Sequence, residues 1–249
     1  MAVGDYLGQQ MTKRVLKAAF TASLPVLMGY LAMGMAAGIL LAKTVDIPVM
    51  PLWAFLTSFV DISGALQFLI VDWIRNQTGM MDVFLLTLCL NLRYAMYGLS
   101  LLERFRGLPI LQKLYLIWAL TDETYAIQVA NKVPEGEDSI SYCLAVAAFD
   151  HFYWVLGVVS GALIGSHLPF DSRGIDFAMT ALFLVVLTDQ CREKFNRLPA
   201  VIGLVIVLIS RYFFHTGDML LPAIPVVLIV LFLFRKPLLA IGRKEETES

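Results

Sequence analysis

The chain alternates between long apolar stretches and short polar connections over nearly its whole length. Eight apolar segments can be drawn, at 18–42, 51–74, 81–102, 109–130, 140–165, 175–190, 198–215 and 219–235. A helix needs about 20 apolar residues to cross the hydrocarbon core of a bilayer, and most of these segments are long enough. The pattern predicts an all-α integral membrane protein with about eight apolar segments.

The connections between the segments are too short to hold a soluble module. We expect a cytoplasmic N-terminal segment at 1–17, a single transmembrane transport domain at 18–235 and a cytoplasmic tail at 236–249. The first apolar run follows a basic stretch, as a signal peptide does, but its length of about 25 residues exceeds the usual 7–15. We interpret it as an uncleaved first transmembrane helix.

Composition agrees with a membrane protein and excludes several other classes. Hydrophobic residues make up 59% of the chain and charged residues only 16%, against about 25% charged residues in soluble domains. The net charge of −1 excludes a basic nucleic-acid binder. Three cysteines without ligand spacing predict neither a metal site nor disulfides, and no metalloprotease, hydrolase or nucleotide-binding motif is present. We therefore expect no cofactor and no enzymatic activity.

The distribution of lysine and arginine distinguishes two topologies. With both termini cytoplasmic and eight full crossings, twelve basic residues lie inside and six outside. If segments two and six are re-entrant, fourteen lie inside and only Lys43, Arg75, Lys132 and Arg211 lie outside. The second arrangement follows the positive-inside rule better, although charge counting alone leaves the first one open.

A weak internal repeat favours the second topology. Gly34 and Gly38 in segment one are spaced like Gly157 and Gly161 in segment five, and a loop with a proline follows each pair. Three crossings between the copies make the repeat inverted, which is a recurrent plan among transporters. The alternative is that the Gly-x-x-x-Gly spacing serves only close packing of helices.

The stretch from Leu90 to Glu123 carries charge within segments three and four. Arg93 in segment three and Asp122 and Glu123 in segment four each cost roughly 2.5–3.5 kcal/mol near the centre of a membrane helix. Such residues pair with one another or line a wet cavity. We predict that they form the core of a transport site, to which Asn91 contributes from the same stretch.

Helical spacing gives this predicted site two faces. Each face holds three side chains at i, i+4 and i+7: Arg93, Tyr97 and Ser100, and Trp118, Asp122 and Tyr125. Neighbouring helices then place Arg93 against Asp122, while Glu123 points about 100° away. The alternative is a salt bridge that only locks the two helices together.

Segment two contains polar residues in otherwise apolar surroundings, among them Asp61, Gly64 and Gln67. Glycine and serine weaken a helix there, and freed backbone groups bind a polar ligand where they line a cavity. We favour a binding-site role over the alternative, a kinked helix whose polar side chains bond to a neighbour.

His151 in segment five is a candidate proton acceptor, because histidine titrates near neutral pH. Aromatic residues follow it directly in the sequence. The alternative is therefore a histidine in an interfacial aromatic belt, bonded to headgroups or to a carbonyl.

Several stretches resemble the AzlC family, the large subunit of branched-chain amino acid exporters: Gly64–Phe68, Asn91–Tyr97, Leu120–Glu123 and Tyr153–Gly157. The likeness extends over residues 20–210. This chain differs at Tyr94, where the family commonly has histidine, and at Leu66, where it commonly has a small or hydroxyl residue.

The resemblance implies export of valine, leucine and isoleucine, with methionine as a further candidate, across the bacterial inner membrane. It also implies a small AzlD-type membrane subunit as partner. A zwitterionic substrate needs a cationic partner for its carboxylate and an anionic or carbonyl partner for its ammonium group. Arg93 or the backbone at Gly64 suits the first, and Asp122 or Glu123 the second, while Phe68, Trp118 and Tyr125 suit a branched side chain.

Because the sequence has no nucleotide site, we expect a secondary transporter coupled to protons in the lipid bilayer. Two other classes stay open. One is a membrane-embedded enzyme with Asp122 and Glu123 as acid and base. The other is a passive channel for small zwitterions.

Overall fold

The computed structural model describes residues 11–45, 49–130, 132–167, 191–192, 194–213 and 220–234, with isolated residues between 177 and 188. The helices of these residues are α1 Lys13–Thr44, α2 Met50–Val60, α3 Gly64–Asn76, α4 Met80–Leu101, α5 Ile110–Trp118, α6 Asp122–Ala130, α7 Ser139–His167, α8 Lys194–Phe213 and α9 Leu220–Leu233. Three of them, α1, α4 and α7, are long and apolar enough to cross a membrane. The prediction of a helical membrane protein is confirmed, while the number of crossings stays a prediction.

Parts of the predicted organisation fall outside the described residues. Segment six, at 175–190, lies there for the most part, as do the tail at 236–249 and the first ten residues of the N-terminal segment. Helices α8 and α9 coincide with the last two predicted apolar segments.

The chain forms two compact units. The first contains α1 to α3, α5 to α7 and the part of α4 from Leu90 onwards. The second contains the beginning of α4, up to Cys89, together with α8 and α9, which pack against each other. All candidate site residues lie in the first unit.

Helices α1 and α7 form the most extensive interface of the first unit. At one end, Val15 and Ala19 of α1 pack against Tyr142, Ala145 and Val146 of α7, and all five are buried. Burial of apolar side chains between helices excludes lipid and gains dispersion contacts along the whole crossing.

The predicted glycine pairs lie at this same interface. A Cβ on Gly38 would overlap the backbone of Val158, and one on Gly161 would overlap the backbone of Met35. A Cβ on Gly157 would lie 2.7 Å from the carbonyl oxygen of Tyr30. Glycine is therefore required for close approach of the two helices, as the packing interpretation predicts. The inverted repeat stays a prediction.

Segment two is a broken helix, divided between α2 and α3 by the residues 61–63. The amide of Asp61 still donates to the carbonyl of Thr57 at 2.8 Å, and that of Gln67 donates to the carbonyl of Ser63 at 3.0 Å. The chain therefore leaves one helix and starts another within three extended or turn residues. A break in this segment is confirmed, whereas re-entry on the same side stays a prediction.

Segment four is also broken, and here the prediction of one continuous helix is wrong. Helix α5 ends at Trp118 and α6 begins at Asp122. The hydroxyl of Thr121 accepts a hydrogen bond from the amide of Thr124 at 3.2 Å, which is the bond of an N-cap residue. Two acidic residues in the following turn favour a helix start there. Trp118 therefore does not share a helical face with Asp122 and Tyr125.

Candidate functional site

An ion pair between Arg93 and Asp122 joins α4 to the beginning of α6. The guanidinium Nη1 lies 2.8 Å from Oδ2 of the carboxylate, so the predicted contact between the two residues is present. The side chains are 36% and 35% exposed, respectively. The position of Asp122 in the first turn of α6 places its negative charge at the positive end of the helix dipole. The ion pair is thus stabilised at the start of α6, and both of its side chains are partly exposed.

Tyrosines complete the environment of this ion pair. Arg93 donates to the hydroxyl of Tyr94 at 2.9 Å, and the hydroxyl of Tyr97 donates to Oδ1 of Asp122 at 2.8 Å. The ring of Tyr97 stacks on that of Tyr125 with centroids 4.3 Å apart. We refer to Arg93, Tyr94, Tyr97, Asp122 and Tyr125 as the Arg93 cluster.

Two polar atoms on this part of α4 are buried and have no hydrogen-bond partner in the part of the chain that the structure describes. They are Nε of Arg93 and Oδ1 of Asn91. A buried polar group without a partner is costly, so such atoms commonly mark a place where a ligand or water binds. The predicted site residue Asn91 is thus close in sequence to the ion pair without being bonded to it.

The break between α2 and α3 contacts the Arg93 cluster through Tyr94. The Asp61 carboxylate accepts a hydrogen bond from the amide of Ser63 at 3.1 Å, which stabilises the turn. The Ser63 hydroxyl lies 3.4 Å from the hydroxyl of Tyr94. Asp61 therefore supports the break and is connected to the ion pair through Ser63 and Tyr94.

Gln67 and Gly64 serve the local structure of the same break. The Gln67 side chain is fully buried and its amide donates to the Thr57 hydroxyl at 3.1 Å, which ties α3 to α2. A Cβ on Gly64 would lie 3.4 Å from the indole ring of Trp154. The backbone at Gly64 is therefore covered by an aromatic ring on its Cβ side.

Glu123 belongs to a second polar group that does not include Arg93. Its carboxylate accepts from the hydroxyl of Tyr30 in α1 at 2.9 Å. The same tyrosine hydroxyl lies 2.6 Å from that of Thr121, which lies 3.0 Å from that of Thr124. Thr124 in turn donates to Asp150 of α7 at 2.7 Å. A continuous row of oxygen atoms thus connects α1, α6 and α7.

His151 is enclosed by aromatic rings in the middle of α7. Its ring centroid lies 5.0 Å from that of Phe59 and 5.2 Å from that of Trp118, and Nδ1 lies 3.5 Å from the hydroxyl of Tyr115. The side chain is only 6% exposed. The residue lies well inside a helix of 29 residues, and both its role as a proton acceptor and the alternative of an interfacial belt stay predictions. Trp118 also donates to the carbonyl of Val60 at 3.2 Å and so caps the end of α2.

The structure thus divides most of the predicted residues among four groups. Arg93, Tyr97, Asp122 and Tyr125 come together, Glu123 joins the hydroxyl row, Trp118 joins the ring cluster of His151, and Asp61, Gly64 and Gln67 lie at the break between α2 and α3. Asn91 is bonded to none of these groups among the described residues. Sequence reasoning did not select Tyr30, Thr121, Thr124 or Asp150 as site residues. An aspartate within the apolar segment 140–165 was the available sequence signal for Asp150, and the structure shows that it is 1% exposed.

The structure combines long apolar helices with two broken helices and an ion pair beside the breaks. These features define a helical membrane protein with a polar site. The family model described as "AzlC protein" matches residues 25–168, and the chain belongs to the AzlC family. It is 35% identical to an uncharacterized membrane protein of Helicobacter pylori over 230 residues, which cover 90% of this chain and 97% of that one.

Two further relatives carry more specific names. The chain is 32% identical to the branched-chain amino acid transport protein AzlC of Bacillus subtilis, with 89% of this chain and 86% of that one covered. It is 29% identical to the inner membrane protein YgaZ of Escherichia coli, over 69% of this chain and 71% of that one. No solved structure matches the chain.

Proposed function

We propose that this protein is a secondary transporter that exports branched-chain amino acids and is coupled to the proton motive force. The name of the Bacillus subtilis relative supports the substrate class. The observation that carries the proposal is the accessible ion pair of Arg93 and Asp122 beside two broken helices. Outward transport and proton coupling are our expectations for this chain.

An accessible ion pair is suited to a zwitterion because the two can exchange partners. The substrate carboxylate takes the place of Asp122 at the guanidinium, and the substrate ammonium takes the place of Arg93 at the carboxylate. Each charge keeps a partner of opposite sign, so no uncompensated charge is left in the membrane. The unpaired Nε of Arg93 offers a second donor for a bidentate bond to the substrate carboxylate.

Two aromatic side chains, Tyr125 in the Arg93 cluster and Trp118 in the ring cluster of His151, offer apolar surface for a branched side chain. Trp118 is 42% exposed and Tyr125 is half-buried, so both present ring surface. Phe68 is only 1% exposed and packs in the core instead. We therefore assign the predicted apolar pocket to Trp118 and Tyr125.

The partner expected from the resemblance is a small AzlD-type subunit. Helix α4 is consistent with a partner, since only 6% of its apolar window is buried within this chain. The transport measurements should therefore be made on the chain expressed with and without the small subunit.

The test is efflux of labelled leucine from loaded proteoliposomes with an imposed pH gradient. Neutralising Arg93→Gln or Asp122→Asn should lower efflux by more than about tenfold, because hydrogen bonds to charged groups contribute about 1.5–3 kcal/mol. The pair of substitutions together should insert and fold yet still fail to export. Arg106→Gln, at an exposed arginine after α4, is the matched control and should export normally.

The double variant distinguishes binding from mere packing. A lone charge in the membrane destabilises the fold. If the pair is purely structural, the double variant should therefore be more stable than either single variant. Recovery of leucine efflux in the double variant would leave Arg93 and Asp122 as a structural pair. Normal efflux in either single variant would remove the site from the transport cycle.

A further inference from the structure

A row of hydrogen-bonded hydroxyl groups connects Glu123 to Asp150. The Tyr30 hydroxyl lies 2.6 Å from that of Thr121, Thr121 donates to Thr124 at 3.0 Å, and Thr124 donates to Asp150 at 2.7 Å. The carboxylate of Glu123 lies 2.9 Å from the Tyr30 hydroxyl at the start of the row. All four contacts are short enough for a proton to pass along the hydrogen bond.

The two ends of the row differ in exposure. Glu123 is exposed, whereas Asp150 is 1% exposed and its Oδ1 has no hydrogen-bond partner among the described residues. Thr121 and Thr124 are buried, with exposures of 4% and 0%, and Tyr30 is 4% exposed. The row is therefore an insulated connection from an accessible carboxyl group to an enclosed one.

No cationic side chain is among the groups that interact with Asp150 in the part of the chain that the structure describes. The titratable groups that interact electrostatically with it are Glu123 of α6, Tyr30 of α1, Tyr115 of α5 and Tyr142 of α7, and His151 is its neighbour in the sequence. Of these, only His151 can become cationic, and its ring lies among aromatic side chains. A buried carboxylate without a cationic partner is costly in a membrane, and a proton removes that cost.

We propose that the row from Glu123 through Tyr30, Thr121 and Thr124 is a proton path and that Asp150 is its internal proton-binding site. Glu123 takes up a proton and passes it to the Tyr30 oxygen, and each hydroxyl hands its own proton to the next oxygen. Oδ2 of Asp150 receives the last one. One O–H bond breaks and one forms at each hydroxyl, so the net change is one proton moved from Glu123 to Asp150.

This proposal rests on the proposed function in one respect, since the proton would be the coupling ion of transport. Glu123 follows Asp122 directly in the first turn of α6, so the proton path and the ion pair share one structural element. A movement of α6 on substrate binding therefore changes both. This gives a physical route from substrate occupancy to proton transfer.

The first test detects the protonated carboxyl group by infrared spectroscopy of the purified protein in lipid. The spectrum in alkaline buffer is subtracted from the spectrum in acid buffer. Each carboxyl group that takes up a proton contributes a carbonyl band, and one of these bands should disappear in Asp150→Asn. Glu135→Gln, at an exposed acid, should retain the band. Persistence of the whole band in Asp150→Asn would overturn the assignment of Asp150.

The second test keeps Asp150 and interrupts the path. In heavy water, the carboxyl proton of Asp150 exchanges for deuterium, and the shift of the same band gives the exchange rate. Thr124→Val and Tyr30→Phe should slow this exchange at least tenfold. Thr124→Ser should restore the wild-type rate. Thr21→Val is the matched control, because that exposed hydroxyl donates only to the carbonyl of Lys17. Exchange in Thr124→Val as fast as in Thr21→Val would overturn the path, even if Asp150→Asn fails to fold.

Transport measurements separate this proposal from the proposed function. Leucine counterflow needs no proton movement, so Asp150→Asn should retain counterflow and lose accumulation driven by a pH gradient. Equal losses of both in folded protein would overturn the coupling role. If the wild-type protein moves no leucine but shows the band and its exchange pattern, the substrate assignment fails and the proton path stands.

Discussion

The tyrosines of the Arg93 cluster fix the orientation of the ion pair at the scale of single residues. Tyr97 and Tyr125 stack ring on ring, but their hydroxyl groups have different partners. Tyr97 donates to the charged Asp122, whereas the Tyr125 hydroxyl accepts from Ser100. The two rings thus contribute similar packing, and only one hydroxyl acts directly on a charge.

We expect Tyr97→Phe to lower leucine efflux by about tenfold or more without loss of folded protein. The substitution removes a bond to a charged group, worth about 1.5–3 kcal/mol, and keeps the stacked ring. Tyr125→Phe loses only a neutral bond, worth about 0.5–1.5 kcal/mol, and should reduce efflux less. Comparable efflux rates for the two variants at equal membrane levels would contradict an orienting role of the Tyr97 hydroxyl.

At the scale of elements, two features determine where polar groups can lie. The α1–α7 interface provides a rigid pair of long helices whose backbones approach closely at glycines. The broken helices α2–α3 and α5–α6 pack on this pair. Their breaks lie near residues in the middle of α1 and α7, namely Tyr30 of α1 and His151 and Trp154 of α7. Backbone groups freed by a break are tolerated in a membrane only inside the protein, which explains why polar side chains gather there.

Gly38→Ala should destabilise the protein because its Cβ meets the backbone of Val158, which cannot move without separating α7 from α1. Overpacking of this kind costs about 1–3 kcal/mol. Gly203→Ala in α8 is the matched control, since nothing lies within 4 Å of its added Cβ, and it should be neutral or stabilising. Apparent melting temperatures in detergent measure both. A Gly38→Ala variant that melts like the wild-type protein would contradict the close crossing.

At the scale of the whole molecule, the two topologies differ in the side of the membrane on which Arg75 and Lys132 lie. Arg75 lies in the last turn of α3 and Lys132 lies shortly after α6, so each marks the end of a broken segment. In the arrangement with segments two and six re-entrant, both residues lie outside the cytoplasm. With eight full crossings, both lie inside.

Single cysteines at positions 75 and 132 should therefore react with a membrane-impermeant thiol reagent added outside intact cells. The native Cys89, Cys143 and Cys191 are replaced by serine or alanine in the background. A cysteine at Arg106 is the internal reference, because the same topology places it inside. Labelling of positions 75 and 132 only after permeabilisation would establish eight full crossings instead.

Local sequence signals predicted the ion pair and the first helix break of the site but missed the second break and Asp150. The cost of a charge in an apolar segment was enough to select Arg93 and Asp122, and glycine and serine were enough to place the break near Gly64. The second break was missed because the apolar run of segment four continues through it, although Thr121 and two acids carried a capping signal. Asp150 was not selected because a single acid next to aromatic residues has the same pattern at a membrane boundary.

The sequence by itself determined the apolar segments, the charges within them and the family, since hydropathy and motif order are properties of neighbouring residues. Only the tertiary structure decided which polar groups meet. Tyr30 and Thr121 are 91 positions apart, and Thr124 and Asp150 are 26 apart, yet their oxygens lie within hydrogen-bond distance. Such contacts require placement of three helices to within fractions of an ångström, and the packing of distant residues provides that placement.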